Sequence, residues 1–120
     1  MQYMLAFFEP QGEFDKRNDP AQADNYWGSW MAYIGALRNS GLVVSGNGLE
    51  LPQSASLVRL RDGKREVHDG PFIDTKEMLG GYFIIEADSL DLAIEWAARS
   101  PAASAGTVEV RPVMPPPANG

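Results

Sequence analysis

The chain has 120 residues, 44% of them apolar and 22% charged, with no cysteine, a formal charge of −6 and a pI near 4.6. That length holds one domain whose core buries roughly two-thirds of the unfolded surface. The acidic balance argues against nucleic acid and against an anionic membrane surface, while the lack of cysteine excludes disulfides, thiolate catalysis and cysteine-based metal sites.

The first residues, Met1 to Phe8, are apolar but have no basic flank and stop at Glu9-Pro10. They are too short for a signal peptide or a membrane span, so a cytoplasmic setting is expected by default. Tyr3 to Phe8 reads as a strand, and Gln11 to Asp19 as a polar loop. Asp19-Pro20 starts a helix, with a capping carboxylate and a proline at the first helical position. The helix runs to about Ser40 and stops at Gly41. Trp27, Trp30, Ile34 and Leu37 fall on one face of a 3.6-residue period. Leu42 to Ser45 is a strand that leaves through Gly46-Asn47-Gly48. Ser56 to Arg61 and Lys64 to His68 flank Asp62-Gly63, a hairpin signal. Asp74-x-x-Glu77 reads as a capping-box-like helix start. Gly81 to Ala87 is a strand, and Gly80-Gly81 allows close packing at its entry. Asp88, with Asp91 three on, starts a second helix with Leu90, Ala93, Ile94 and Ala97 as its apolar stripe; Pro101 follows its end. Thr107 to Val113 is the last strand. A single domain over residues 1–114 and a Pro-rich tail over 115–120 complete the chain.

The order is β-α-β, an extra hairpin, then β-α-β. It predicts a ferredoxin-like α+β sandwich with strand order 4-1-3-2 and both helices on one face. The first and third strands then lie in the centre, and those are the two with apolar residues on both faces: Tyr3, Leu5, Phe7 against Met4, Ala6, Phe8, and Tyr82, Ile84 against Phe83, Ile85. The last strand alternates Val108 and Val110 with Glu109 and Arg111 and carries Pro112, as an edge strand does. Two helices cover only one face. The simplest cover for the other is a second copy, packed sheet to sheet, so a homodimer is expected.

The run Asp69-Gly70-Pro71-Phe72, with Thr75-Lys76-Glu77, Leu79-Gly80-Gly81, Glu86-Ala87-Asp88, Ala93-Ile94-Glu95-Trp96-Ala97 and Val108-Glu109-Val110-Arg111-Pro112-Val113, resembles the DGPF branch of the YCII-related proteins. The resemblance spans Tyr3 to Val113. It implies a dimeric α/β barrel of two ferredoxin-like subunits, a bacterial and cytoplasmic setting, and no settled activity. For some relatives it implies a His–Asp pair in a pocket between sheet and helix. For other DGPF proteins it implies an association with extracytoplasmic-function sigma factors. The wider family carries its histidine on the first helix; here Pro20 to Ser40 has none. Only Asp69 carries over.

Asp69 and the adjacent His68 are the catalytic candidates. Asp69 is either an acid/base carboxylate in a partly dry pocket or an acceptor for N–H groups of its own turn. His68 titrates near neutrality, yet neighbours on a strand point to opposite faces, so it is expected to be exposed and dispensable. Any site then rests on Asp69 with walls from Tyr26 or Tyr82. Trp27 and Trp30 read as core, Trp30 also as a ligand contact, and Tyr26 as the lining of a pocket mouth. Arg59 either clamps an anionic ligand or pairs with Asp62 or Glu66. One histidine and no cysteine argue against a metal site, and no cofactor is expected. Gly46-x-Gly48 lacks the residues of a nucleotide loop. Three functions remain: a cofactor-independent enzyme doing proton transfer or a lyase or isomerase reaction; a non-catalytic small-ligand or sensory module, linked to sigma-factor regulation; and a dimeric interaction protein.

Overall fold

The computed structural model describes residues 1–72 and 74–117. Ile73 of the Asp-Gly-Pro segment and residues 118–120 of the Pro-rich tail lie outside them. The aromatic N-terminal run forms β1 (Gln2–Pro10), which pairs antiparallel with β5 (Glu77–Glu86) on one side and β6 (Thr107–Pro112) on the other. The strand β2 (Val43–Gly48) pairs antiparallel with the outer side of β5. The order β2-β5-β1-β6 is the expected 4-1-3-2 read from the opposite edge. β1 and β5 take the centre because both of their faces are apolar. Pro112 has no N–H to donate and sits on an edge strand.

One face of this sheet carries α2 (Ala23–Asn39), α3 (Leu90–Ala98) and the short α4 (Pro101–Ala105). Tyr3, Leu5, Phe7, Phe83 and Ile85 point into that layer and pack with Tyr33, Leu37, Ala93 and Ala97. The Tyr33 hydroxyl donates to the Trp96 carbonyl at 2.9 Å and ties α2 to α3. Met4, Phe8, Tyr82 and Ile84 lie on the helix-free face and stay half-buried.

Several local expectations are corrected. The polar loop from Gln11 to Asp19 holds α1 (Gln11–Asp15) and a 3₁₀ turn (Lys16–Asn18), because Phe14 is an apolar anchor, buried to 1% exposure. The long helix starts at Ala23, not Pro20. Asp19 instead caps the preceding turn, its Oδ1 accepting the Ala21 N–H at 2.9 Å. The buried face is Tyr26, Trp30, Tyr33 and Leu37, so Trp27 is exposed rather than core. In α3 the cap is Ser89, whose Oγ accepts the Leu92 N–H, and Ala93, Trp96 and Ala97 face inward while Leu90 and Ile94 are exposed. β2 continues through Gly46-Asn47-Gly48 because β5 supplies Phe83, Tyr82 and Gly81 as partners.

Glu77 opens a strand, not a helix. β1 runs on to Pro10 and offers Glu77 to Leu79 a pairing edge, which outweighs the local capping-box pattern. β3 (Ser56–Arg61) and β4 (Lys64–Asp69) form the expected hairpin, as a separate two-stranded sheet. Its turn places Asp62 at φ 53° and Gly63 at φ 75°, the left-handed pair that a two-residue hairpin loop demands.

Candidate functional site

Side chains on β1 alternate between faces, so Glu9 follows Tyr3, Leu5 and Phe7 into the helix-covered layer. It is 2% exposed, a carboxyl inside an aromatic core. The Tyr26 hydroxyl from the first turn of α2 donates to Glu9 Oε1 at 2.9 Å. Arg17, from the 3₁₀ turn, in turn donates Nε to the Tyr26 oxygen at 3.4 Å. Its Nη1 donates to the Leu49 carbonyl at 2.7 Å and its Nη2 to the Gly80 carbonyl at 3.4 Å. The guanidinium also lies 5.0 Å from the Phe14 ring centroid and 5.3 Å from that of Trp27. The Trp27 indole N–H donates to the Arg17 carbonyl at 3.2 Å, which holds the turn against α2.

Gly80 makes room for this carboxyl. The β1–β5 register slips between Phe7 and Phe8, and Gly80 is the extra residue of the bulge. A Cβ there would stand 3.0 Å from the Phe14 ring and 3.1 Å from Glu9 Oε1. Burial pushes the Glu9 carboxyl above its ordinary 4.5; the Tyr26 hydrogen bond and the Arg17 charge offset part of that rise. Burial, with the neighbouring Glu9 charge, pushes the Tyr26 hydroxyl up to about 12, so it remains a donor at all ordinary pH.

Glu9, Arg17 and Tyr26 border a cavity of about 400 Å³ between α2 and the β2–β5 edge. Phe7, Trp30 and Phe83 form its inner aromatic wall, with Phe7 and Trp30 edge to face at 5.1 Å between centroids. Beside Phe7 and Phe83 the sheet is bare backbone at Gly48, Gly80 and Gly81, while the Phe83 ring lies over Gly46. The Trp30 indole N–H is buried and lowers the Glu9 pKa slightly, the smallest effect acting there, but it lies beyond hydrogen-bond distance of any acceptor among the described residues. Such an enclosed acid beside a hydroxyl and a guanidinium can give or take a proton from a small ligand.

Of the residues expected at a site, Tyr26 and Trp30 line this cavity, and Tyr82 borders it from β5 with its side chain turned to the helix-free face. Tyr26 does so as a buried residue rather than at the mouth, and the Tyr82 hydroxyl accepts from Asn47 Nδ2 at 3.1 Å. His68 and Asp69 stand exposed on β4, outside the lining. The His68 ring stacks on Phe72 at 5.5 Å and its Nε2 lies 3.3 Å from the Pro71 carbonyl oxygen. Arg59 covers the same Phe72 ring at 4.5 Å and makes no ion pair among the described residues. The Gly70 N–H that follows Asp69 donates to the Ala55 carbonyl at 2.7 Å, not to the Asp69 carboxylate. Glu9, Arg17 and Trp27 were not among the expected site residues. The signal for Glu9 was its odd-numbered place on β1; the other two lay in a stretch read as loop and on a face read as core.

Among the described residues no group of three or more His, Asp or Glu could hold a metal ion, and no helix is long and apolar enough to cross a membrane. Over 95% of its length the chain shares a fold with 5-chloro-2-hydroxyhydroquinone dehydrochlorinase of Burkholderia phenoliruptrix AC1100, solved in complex with 2,5-dihydroxybenzoquinone. The TM-score is 0.55 at 20% identity, covering 94% of that chain. An uncharacterised protein of Rhizobium meliloti (strain 1021) is 42% identical over 62 residues, 50% of this chain; the match spans about half the relative's length, 50% of it. The YCII-related domain matches residues 1–116, nearly all the chain, and the protein therefore belongs to the YCII-related family.

Proposed function

We propose that this protein is a cofactor-independent small-molecule enzyme that moves a proton at carbon, of the isomerase or lyase kind. The observation that carries this reading is the buried Glu9 carboxyl, held against Tyr26 at the wall of the cavity. Burial raises its pKa above the ordinary carboxyl value, the direction in which a general acid–base carboxyl is tuned. Ionised Glu9 takes a proton from a carbon next to a carbonyl. The C–H electron pair forms the new C=C bond, the carbonyl π pair moves to its oxygen, and neutral Glu9 returns the proton elsewhere on the molecule. The Tyr26 O–H and Arg17 hold Glu9 in place and stabilise its charge while it is ionised. The fold neighbour's activity on a hydroxyquinol supports a ring substrate by analogy alone. A purely binding or sensory module, including one tied to a sigma factor, needs the cavity but no shifted acid; Glu9 favours the enzyme.

Asp69 and His68 take no part in this reading, because they stand on the exposed hairpin. Asp69-Gly70-Pro71-Phe72 supports assignment to the DGPF branch. The half-buried Met4, Phe8, Tyr82 and Ile84 support a homodimer through the helix-free face, closing a dimeric barrel.

The test is solvent exchange. Wild-type protein in D₂O, mixed with a panel of cyclic enones and hydroxyquinols, should place deuterium at carbon, read by NMR. Glu9→Gln should slow that exchange by roughly 10²- to 10⁴-fold, with Tyr26→Phe in between. Exchange at the wild-type rate in Glu9→Gln sinks the proposal, as does a wild type inert towards the whole panel.

A further inference from the structure

The polar groups of the cavity are unevenly matched. Arg17 already donates to two carbonyls and to Tyr26. Besides the exposed Asn18 amide, two other donors on the lining are uncommitted. The Trp30 indole N–H is buried, at 7% exposure; the Glu9 carboxyl feels it weakly, but among the described residues no acceptor lies within hydrogen-bond distance. Its desolvation is uncompensated unless an acceptor arrives. Arg38, two turns further along α2, borders the same cavity and makes no ion pair among the described residues; its guanidinium lies 5.9 Å from the Phe83 ring centroid.

Shape adds a second constraint. The Phe83 ring takes the space over Gly46, but Gly48 and Gly81, paired across the β2–β5 ladder, stay bare. These positions present peptide planes and no side chains. A Cβ on Gly48 would meet nothing within 4 Å, so the wall is open as well as flat. Phe7 and Phe83 rise from the same sheet face beside them, and Trp30 stands across on α2. A slot between peptide planes and aromatic rings selects a thin, unsaturated molecule.

Charge decides the last property. Burial biases Glu9 towards its neutral form, so the interior offers little to hold a cation. Glu50 is the other carboxylate on the lining; it is exposed to solvent, as Arg38 is, while Arg17 is half-buried. Against it stand Arg17 and Arg38.

We propose that the cavity takes a flat ring bearing an anionic oxygen group conjugated to it, one oxygen accepting from Trp30 Nε1 and the charge facing Arg38. This rests on the cavity being the ligand site of the reading above, but not on chemistry at Glu9.

Calorimetric titration tests it with four probes on the full-length protein. 4-Hydroxybenzoate and 2,5-dihydroxybenzoquinone carry the charge as a carboxylate or as an acidic enol. 4-Hydroxybenzamide is their uncharged counterpart, and cyclohexanecarboxylate is charged but not flat. At least one anionic ring should bind below about 1 mM, about tenfold tighter than the amide and the saturated acid. Arg38→Gln should weaken the anionic ring about tenfold and leave the amide unchanged. Trp30→Phe should weaken the anionic ring and the amide alike, about tenfold. Gly48→Leu, which enters open space, should keep the wild-type thermal melt and lose binding. Equal affinity for amide and acid overturns the proposal. So does an unchanged affinity in Arg38→Gln or in a folded Gly48→Leu, or no binding by either anionic ring. Glu9→Gln separates the two readings. If it binds the anionic ring as wild type does while wild type shows no exchange at carbon, the enzyme reading falls and this one stands. If exchange occurs only on uncharged rings, the reverse holds.

Discussion

Glu9 is a carboxyl whose ionisation the fold resists. Its pKa is raised by burial, so the native state favours the neutral form more than the unfolded chain does. The stability this contributes is full below the ordinary value of 4.5 and is lost as pH rises through the raised native value. Gln at this position cannot ionise. The urea midpoint of wild type should therefore fall relative to that of Glu9→Gln as pH climbs from 4.5 towards neutrality, other carboxylates being common to both. A wild-type midpoint that holds level with or rises relative to Glu9→Gln over that range refutes the assignment of Glu9 as a buried acid. The sequence already contained the clue. Tyr3, Leu5, Phe7 and Glu9 share one strand face, but Glu9-Pro10 also reads as a strand ending, and that reading hides the carboxyl. The exchange of roles between Tyr26 and Trp27 has a related cause. Both fit an apolar stripe, and only the Tyr26 bond to Glu9 fixes which of them turns inward.

At the scale of elements, the bulge at Gly80 shapes the site. The Phe14 ring and the Glu9 carboxyl both occupy the space that a side chain at position 80 would take. Phe14 is buried to 1% exposure and has little room to retreat. Gly80→Ala should destabilise the fold by about 1–3 kcal/mol in urea unfolding, whereas Gly48→Ala, whose Cβ meets nothing, should stay near wild type. Equal behaviour of the two would mean that Glu9 and Phe14 yield freely. The strand order was legible because two strands were apolar on both faces and one carried a proline, features that survive any local error. Boundaries were less legible. Asp74-x-x-Glu77 satisfies a helix start locally, but Glu77 pairs with Pro10 from the far end of the chain, and no local pattern reports such a partner. The site was legible only in Tyr26, Trp30 and Tyr82, since Arg17 and Glu9 meet through a turn that the polar composition of residues 11–19 concealed.

The whole molecule is thin. Its Cα atoms span 52 × 44 × 18 Å, one helix layer on one sheet. The radius of gyration is 16.4 Å, against about 14 Å for a compact chain of this length. A sheet with helices on one face only leaves Met4, Phe8, Tyr82 and Ile84 without a second layer. The proposed dimer would supply it, and a stable one buries about 800 Å² per partner. Light scattering at micromolar concentration should give twice the 13.1 kDa chain mass. Ile84→Lys should return the chain to monomer without unfolding it. A monomeric wild type, or a dimer indifferent to Ile84→Lys, removes the helix-free face as the interface.

The excess in radius has a further consequence, which lies in time rather than shape. Among the described residues β3 and β4 hydrogen-bond to each other and to no third strand, and Val58, Leu60 and Val67 on them are exposed. A two-stranded ribbon without a packed face is only marginally stable by itself. Its amides can open without disturbing Leu5 or Ile85, so the chain carries two clocks of hydrogen exchange: a slow one in the four-stranded sheet and a fast one in the ribbon. Whatever comes to rest on Val58 and Leu60 slows the second and leaves the first alone. The ribbon thus reports its own occupancy amide by amide, through a signal that the core does not share.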